Sequence, residues 1–148
     1  MKRLFILAHP QARANALRAV QEAPEGFRVV VEEPKKTRAQ EERYHAMLGD
    51  IAKQYPIHGQ LRDEETVKRL CVDQFRRDTA KDPDLGPLWD DMGTMEMMPS
   101  LDGSGVVMLG WQTRRFPKRL ASAFVEWLFA LGAEVGIEWS EPRERQAA

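Results

Sequence analysis

The sequence predicts an α+β fold: a small N-terminal strand-helix-strand unit packed with three further helices and a hairpin. Three observations lead there. Short β-branched or apolar runs flank an alanine-rich segment near the start. Two longer segments then carry apolar residues at helical spacing. A second pair of apolar runs is separated by a glycine-rich turn. With 148 residues, the chain is sized for one compact domain or two small subdomains, and we treat residues 1–148 as one domain.

Residues 3–8 (RLFILA) form a short apolar run before His9-Pro10 and read as a buried strand. Residues 11–23 are rich in alanine, with Ala16, Leu17 and Val20 on one stripe, and read as a helix stopped by Pro24 and Gly26. Residues 27–33 (FRVVVEE) are β-branched and end at Pro34, which predicts a second strand.

Thr37 with Gln40 three residues on is a capping-box pattern, in which each side chain satisfies a backbone N–H at a helix start. Tyr44, Met47, Leu48, Ile51 and Tyr55 follow at helical spacing, and Pro56 ends the helix. Gly49 interrupts it at a cost of about 1 kcal/mol relative to alanine and suggests a close backbone approach. The next helix starts at Asp63, with Glu64 and Glu65 where the helix dipole favours negative charge. Its stripe is Val67, Leu70, Cys71 and Phe75, so Cys71 is expected to be a core residue rather than a nucleophile.

Residues 81–104 are acidic and irregular, with several prolines, glycines and methionines. A structureless loop of that length is unusual, so a hairpin or lid is expected. The strands would be residues 94–98 and 106–111, with Asp102-Gly103 as the turn. Pro117 suits the first turn of a last helix running to about Leu131. Phe124, Trp127, Leu128, Phe129 and Leu131 make that helix apolar almost all round, so it is expected to be buried on two sides, either in the core or against a second subunit, and a homodimer interface is expected there. Residues 135–140 read as an extended tail and 141–148 as frayed.

Composition and motifs exclude several functions. There is no run of eighteen apolar residues, so no membrane helix is expected, and a cytoplasmic location follows from the lack of a signal-peptide core. A single cysteine excludes an internal disulfide, and the histidines at 9, 45 and 58 lack metal-site spacing. Phosphate-loop, dinucleotide and nucleophile-elbow motifs are absent. No catalytic constellation, cofactor or metal is therefore expected.

Charge is more informative. The net charge is only −1. Six acids (Asp82, Asp84, Asp90, Asp91, Glu96, Asp102) against Lys81 alone occupy residues 81–104. Arg114, Arg115, Lys118 and Arg119 stand without an acid in residues 111–119, and Lys35, Lys36, Arg38 and Arg43 form a second basic cluster. Such separation suits a polyanion. Guanidinium forks match phosphate oxygens, and the faces of Trp111 and Phe116 either stack on unpaired bases or anchor the turn in the core.

In this order the segments resemble the phage lambda NinB (Orf) family of recombination proteins. The matching pieces are Thr37-x-x-Gln40, then Ala46-x-Leu48-Gly49-Asp50 with Gln54, then His58-Gly59 and Asp63. Lys68, Val106-Val107 and Gly110-x-x-Thr113-x-Arg115 follow. Glu126, Ala130-x-Gly132, Glu134 and Gly136-x-x-Trp139-Ser140 complete the set, which spans about residues 36–140. Residues 81–104 do not match well, and Glu41 and His45 stand where the family pattern usually has Asn and Trp.

The resemblance implies a non-enzymatic recombination mediator. It would bind single-stranded or tailed DNA, and duplex DNA more weakly. It would associate with the host single-strand-binding protein and help load a phage recombinase or annealing protein. The family forms homodimers. With Gln40, Lys68 and Thr113 taken from the matched pattern, the expected DNA-binding set is Lys35, Lys36, Arg38, Gln40, Arg43, Lys68, Trp111, Thr113, Arg114, Arg115, Lys118 and Arg119. Two other readings stay open. One is a metal-dependent nuclease built on the acids of residues 82–102. The other is a protein-only adaptor whose basic turn takes the acidic tail of the single-strand-binding protein.

Overall fold

The computed structural model describes residues 2–92, 96–109 and 113–141. The chain divides into two units, residues 1–34 and residues 35–148. The fold class is α+β: five α-helices and one two-stranded antiparallel sheet among the described residues.

The N-terminal unit contains α1 (Pro10–Glu22). His9 caps it, its Nδ1 accepting the Ala12 N–H at 3.2 Å, and Pro10 occupies the first turn, where no N–H is needed. The two strands expected at residues 3–8 and 27–33 do not form; neither segment enters a hydrogen-bonded ladder. The physical reason lies in burial. A strand needs a neighbour and a covered face, and α1 buries none of its residues. Leu4, Ile6, Leu17, Phe27, Val29, Val30 and Val31 all remain exposed, Val31 at 87%.

The second unit is built on three long helices. In α2 (Arg38–Gln54) the capping box is complete: Thr37 Oγ1 accepts the Gln40 N–H at 3.1 Å, and Gln40 Oε1 accepts the Thr37 N–H at 2.9 Å. In α3 (Glu64–Thr79) the Asp63 carboxylate accepts the Thr66 N–H at 2.8 Å. The last helix, α5 (Lys118–Val135), runs one turn beyond the expected end at Leu131. Gly132 lies inside the helix, and Gly136 ends it in the left-handed region (φ 79°). From there Ile137 N–H returns to the Gly132 carbonyl at 2.9 Å.

The apolar stripes meet as their periodicity requires. Tyr44, Met47, Leu48 and Ile51 of α2 close on Leu120, Phe124 and Leu128 of α5 and on Val67, Cys71 and Phe75 of α3. Aromatic rings dominate: Phe116 lies edge-on to Phe124 at 5.7 Å and to Trp89 at 5.6 Å. Such pairs contribute about 0.5–1.5 kcal/mol each beyond area burial. Trp89 belongs to α4 (Gly86–Asp91), a helix not foreseen in the acidic segment. Its indole N–H donates to Thr79 Oγ1 at 2.8 Å, whose hydroxyl donates to the Phe75 carbonyl at 2.8 Å.

After α4 comes the expected hairpin, β1 (Glu96–Pro99) paired with β2 (Val106–Leu109) in the register Met98↔Val107. Its turn is organised by Asp102, which accepts from Ser100 Oγ, Ser104 N and Ser104 Oγ. The expected starts and ends at residues 94–95 and 110–111 lie outside the described residues.

Beyond α5, residues 137–140 dock back on α2. Gln54 Nε2 donates to the Glu138 carbonyl, and Gln54 Oε1 accepts the Glu138 N–H, both at 2.8 Å. Trp139 packs on Phe129 at 5.6 Å and sits directly against Gly132, where any side chain would meet its ring.

Of the two covers expected for the apolar faces of α5, this packing supplies the core. Phe124 and Leu128 are fully buried in the second unit itself, and Phe129 is covered with Trp139 against it. The apolar surplus of the helix is consumed by α2, α3 and the returning tail. Trp127 and Leu131 stay partly open, along a groove beside α3.

Candidate nucleic-acid interface

The two basic clusters, about eighty residues apart in sequence, are brought together by backbone pairing. Lys35 forms an antiparallel bridge with Pro117, and Lys36 N–H donates to the Phe116 carbonyl at 3.4 Å. One turn into α2, Gln40 Nε2 donates to the Lys118 carbonyl at 3.2 Å and to Ser122 Oγ at 2.7 Å. The start of α2 is thereby tied to the start of α5. Lys35, Arg38, Arg115, Lys118 and Arg119 are exposed around this junction, and Lys36 is half-buried.

Three local features shape the surface. A 3₁₀ turn, Thr113–Arg115, leads into Phe116, whose buried ring anchors it in the core. Arg115 Nη1 donates to the Met92 carbonyl at 3.4 Å, which steadies one side of the guanidinium. The N-cap of α5 is Pro117, whose side chain supplies no capping bond, and the positive end of the helix dipole lies at the same junction. Arg38 approaches Glu42 only to 3.9 Å with both side chains well exposed, a pairing that does little to neutralise it.

Other members of the expected set have different surroundings. Gln40 spends both ends of its amide inside the fold, as cap and cross-link. Thr113 is buried beside Tyr44. Burial pushes the Tyr44 phenol up to about 12, an effect the Thr113 hydroxyl opposes in part. Arg43 is half-buried on α2. Lys68 stands on α3 with its ammonium 3.0 Å from Glu65. Trp111 lies outside the described residues, and Arg114 is placed only by its backbone in the 3₁₀ turn.

The acidic segment behaves as structure. Asp82 Oδ1 accepts the N–H groups of Asp84 at 2.8 Å and Leu85 at 3.0 Å ahead of α4. Asp102 serves its own turn, and those bonds pull its carboxyl down to about 2. Among the described residues, no three His, Cys, Asp or Glu side chains gather as a metal site would require. Cys71 is buried, and burial pushes its thiol up to about 12, far from a nucleophile's range.

Sequence reasoning missed the junction itself. Nothing local marks Lys35 as a partner of Pro117, because a two-residue bridge over that separation leaves no periodic signal. It also missed that the two positions departing from the family pattern face one another. His45 Nε2 lies 3.9 Å from Glu41 one turn earlier in α2, and its Nδ1 lies 4.0 Å from Glu64.

A helical core that joins two acid-poor basic segments at one helix start defines a small α+β protein with a localised cationic surface. The NinB protein family matches residues 1–140, and the chain belongs to that family. "Protein ninB" of Escherichia phage lambda is 27% identical over 146 residues, covering 95% of this chain and 88% of the relative. "Protein ninB" of Salmonella phage P22 is equally similar, with 89% of its length covered. A solved structure titled "Structural Genomics, NinB" superposes with a TM-score of 0.52 at 30% identity, covering 99% of this chain and 95% of that one. Among the described residues no helix is long and apolar enough to cross a membrane.

Proposed function

We propose that this protein is a non-enzymatic recombination mediator that holds single-stranded or tailed DNA on the surface formed by Lys35, Lys36, Arg38, Arg114, Arg115, Lys118 and Arg119. The observation that supports this reading is the Lys35–Pro117 bridge, which merges two basic clusters into one surface. A chain of net charge −1 must concentrate positive potential locally to hold a polyanion. Phosphate oxygens would meet guanidinium and ammonium groups together with the N–H groups at the start of α5. In this reading Gln40 positions the two helix starts and does not touch DNA.

The family resemblance extends the proposal to partners: the host single-strand-binding protein, a phage recombinase or annealing protein, and a second copy of the chain. For the second copy we assign residues 1–34, whose apolar side chains stand uncovered. A unit of that size rarely folds without an added partner, metal or disulfide.

The deciding experiment is a gel shift with naked single-stranded DNA over a salt series. If one subunit neutralises about four phosphates of a single strand, log affinity falls against log salt with a slope near −3. Absence of any shift would favour a protein-only adaptor. Digestion of the DNA on adding Mg²⁺ or Mn²⁺ would instead favour a nuclease.

A further inference from the structure

Between α3 and α5 runs a groove of about 410 Å³ lined by Gln74, Asp78, Trp127, Ala130, Leu131 and Glu134. It lies on the C-terminal half of α5. The basic junction is at residues 118–119, some twelve residues earlier, or about 20 Å along the helix axis. Its polarity is opposite to that of the junction: two carboxylates and no base among its lining residues.

The groove is built rather than incidental. Trp127 stacks on Phe124 at 6.2 Å, and its indole N–H donates to Asp78 Oδ2 at 2.8 Å. The other carboxylate oxygen of Asp78 accepts from Gln74 Nε2 at 2.8 Å. Both donors are neutral groups, and together they hold the Asp78 carboxylate and the indole in one orientation. Glu134 stands exposed on the rim. Ala130 and Leu131 give the groove an apolar wall.

We propose that this groove docks a basic segment of a protein partner, taking a lysine or arginine side chain. The aliphatic stem would lie on Leu131 and Ala130, and the charged head would sit between Asp78 and Glu134 beside the Trp127 ring. An indole is the aromatic ring that attracts cations best, and long basic side chains pair an apolar stem with a charged head. The same charges repel a nucleic acid, so this face and the basic junction do not compete for one ligand. The inference does not rest on DNA binding at that junction.

The test uses the full-length protein without DNA and two peptides, acetyl-(Arg-Leu)₃-amide and acetyl-(Glu-Leu)₃-amide. The readout is the Trp127 indole N–H resonance, assigned with Trp127→Phe. The arginine peptide should shift that resonance saturably, and the glutamate peptide should not. Glu134→Arg, a rim substitution checked for folding by circular dichroism, should weaken the arginine peptide at least tenfold. Glu134→Gln should weaken it less. No saturable shift at Trp127, equal shifts with both peptides, or unchanged affinity in Glu134→Arg would overturn the proposal. Any of these failures leaves the single-stranded DNA gel shift unaffected, so the two readings are judged separately.

Discussion

The carboxylate of Asp50 accepts two hydrogen bonds from Ser140, from its backbone N–H at 3.0 Å and its hydroxyl at 3.1 Å, across ninety residues of chain. Asp50 is 8% exposed. Gln54, one turn further along α2, donates to the Glu138 carbonyl and accepts the Glu138 N–H. Asp50, Gln54, Gly132, Gly136, Trp139 and Ser140 all belong to the set that carries the family resemblance. They form a clasp that returns residues 137–140 to α2, so this part of the pattern shapes the fold.

Removing the Asp50 carboxylate breaks two hydrogen bonds that Ser140 makes to a charged acceptor. Asp50→Ala should therefore lower stability by about 1–3 kcal/mol. Urea unfolding should show a reduced midpoint with an unchanged m-value. A midpoint equal to that of the parent protein would show that the clasp contributes nothing.

Gly49 and Gly132 should respond in opposite directions to the same change. A methyl group on Gly132 would run into the Trp139 ring, and Gly132→Ala should cost about 1–3 kcal/mol through overpacking. At Gly49 the nearest atom to a new methyl group is a Glu64 carboxylate oxygen at 3.5 Å, an ordinary contact. Among the described residues no backbone from outside the helix comes within 4 Å of that position, contrary to the sequence expectation. Gly49→Ala should raise stability by up to about 1 kcal/mol, the helix-propensity difference. Thermal unfolding of the two variants side by side checks the pair.

How much of this was readable beforehand varies by element. Thr37 with Gln40, Asp63 with its following acids, and Asp102-Gly103 are local signals, each complete within four residues, and all three features form. Helix α4 was hidden because Pro83, Gly86 and Pro87 read as breakers, whereas proline is tolerated in a helix's first turn. The apolar runs of residues 3–8 and 27–33 read as strands because composition reports β-propensity and cannot report a missing neighbour. At the candidate site each basic cluster was visible as charge, but their junction depends on the Lys35–Pro117 bridge, which only the fold supplies.

Acid should loosen the hairpin turn. Hydrogen bonds from Ser104 and Ser100 hold the Asp102 carboxyl down to about 2, against an ordinary value near 3.9. A carboxyl lowered on folding contributes stability that is complete above its unfolded value and lost as pH falls through its folded value. The turn should thus be intact above about pH 4 and lose order towards pH 2. Asp63, lowered by its bonds to Thr66, and Glu65, lowered by Lys68, act in the same direction at the start of α3. An NMR titration following Ser104 and Thr66 amides checks this, and amides that stay unmoved down to pH 2 would contradict it.

On the basic surface, Arg115→Ala with Lys118→Ala should make the salt slope for single-stranded DNA shallower by about one to two units, with similar weakening for all base sequences. Lys53→Ala, an exposed lysine in the last turn of α2, serves as the control and should leave the slope unchanged. Arg115 also bonds the Met92 carbonyl, so the double variant is first checked for a native unfolding midpoint. A folded double variant with the parent slope would move the DNA site elsewhere.

The last expectation concerns self-association. The second unit covers Phe124, Leu128 and Phe129 of α5 with its own chain, whereas residues 1–34 leave Leu4, Ile6, Phe27, Val29, Val30 and Val31 exposed. Apolar surface gains about 25 cal/mol per Å² on burial, so six such side chains supply a substantial drive to associate, and α5 retains little. Val29→Asp with Val31→Asp should place charges in a dry contact and shift a dimer to monomer in sedimentation equilibrium. Because α1 buries nothing and the three long helices of residues 35–148 carry the core, far-UV dichroism and thermal midpoint should change little. Leu131→Asp, on the open groove of α5, should leave the dimer intact. If Leu131→Asp dissociates the protein and the Val29/Val31 pair does not, the interface lies on α5 after all.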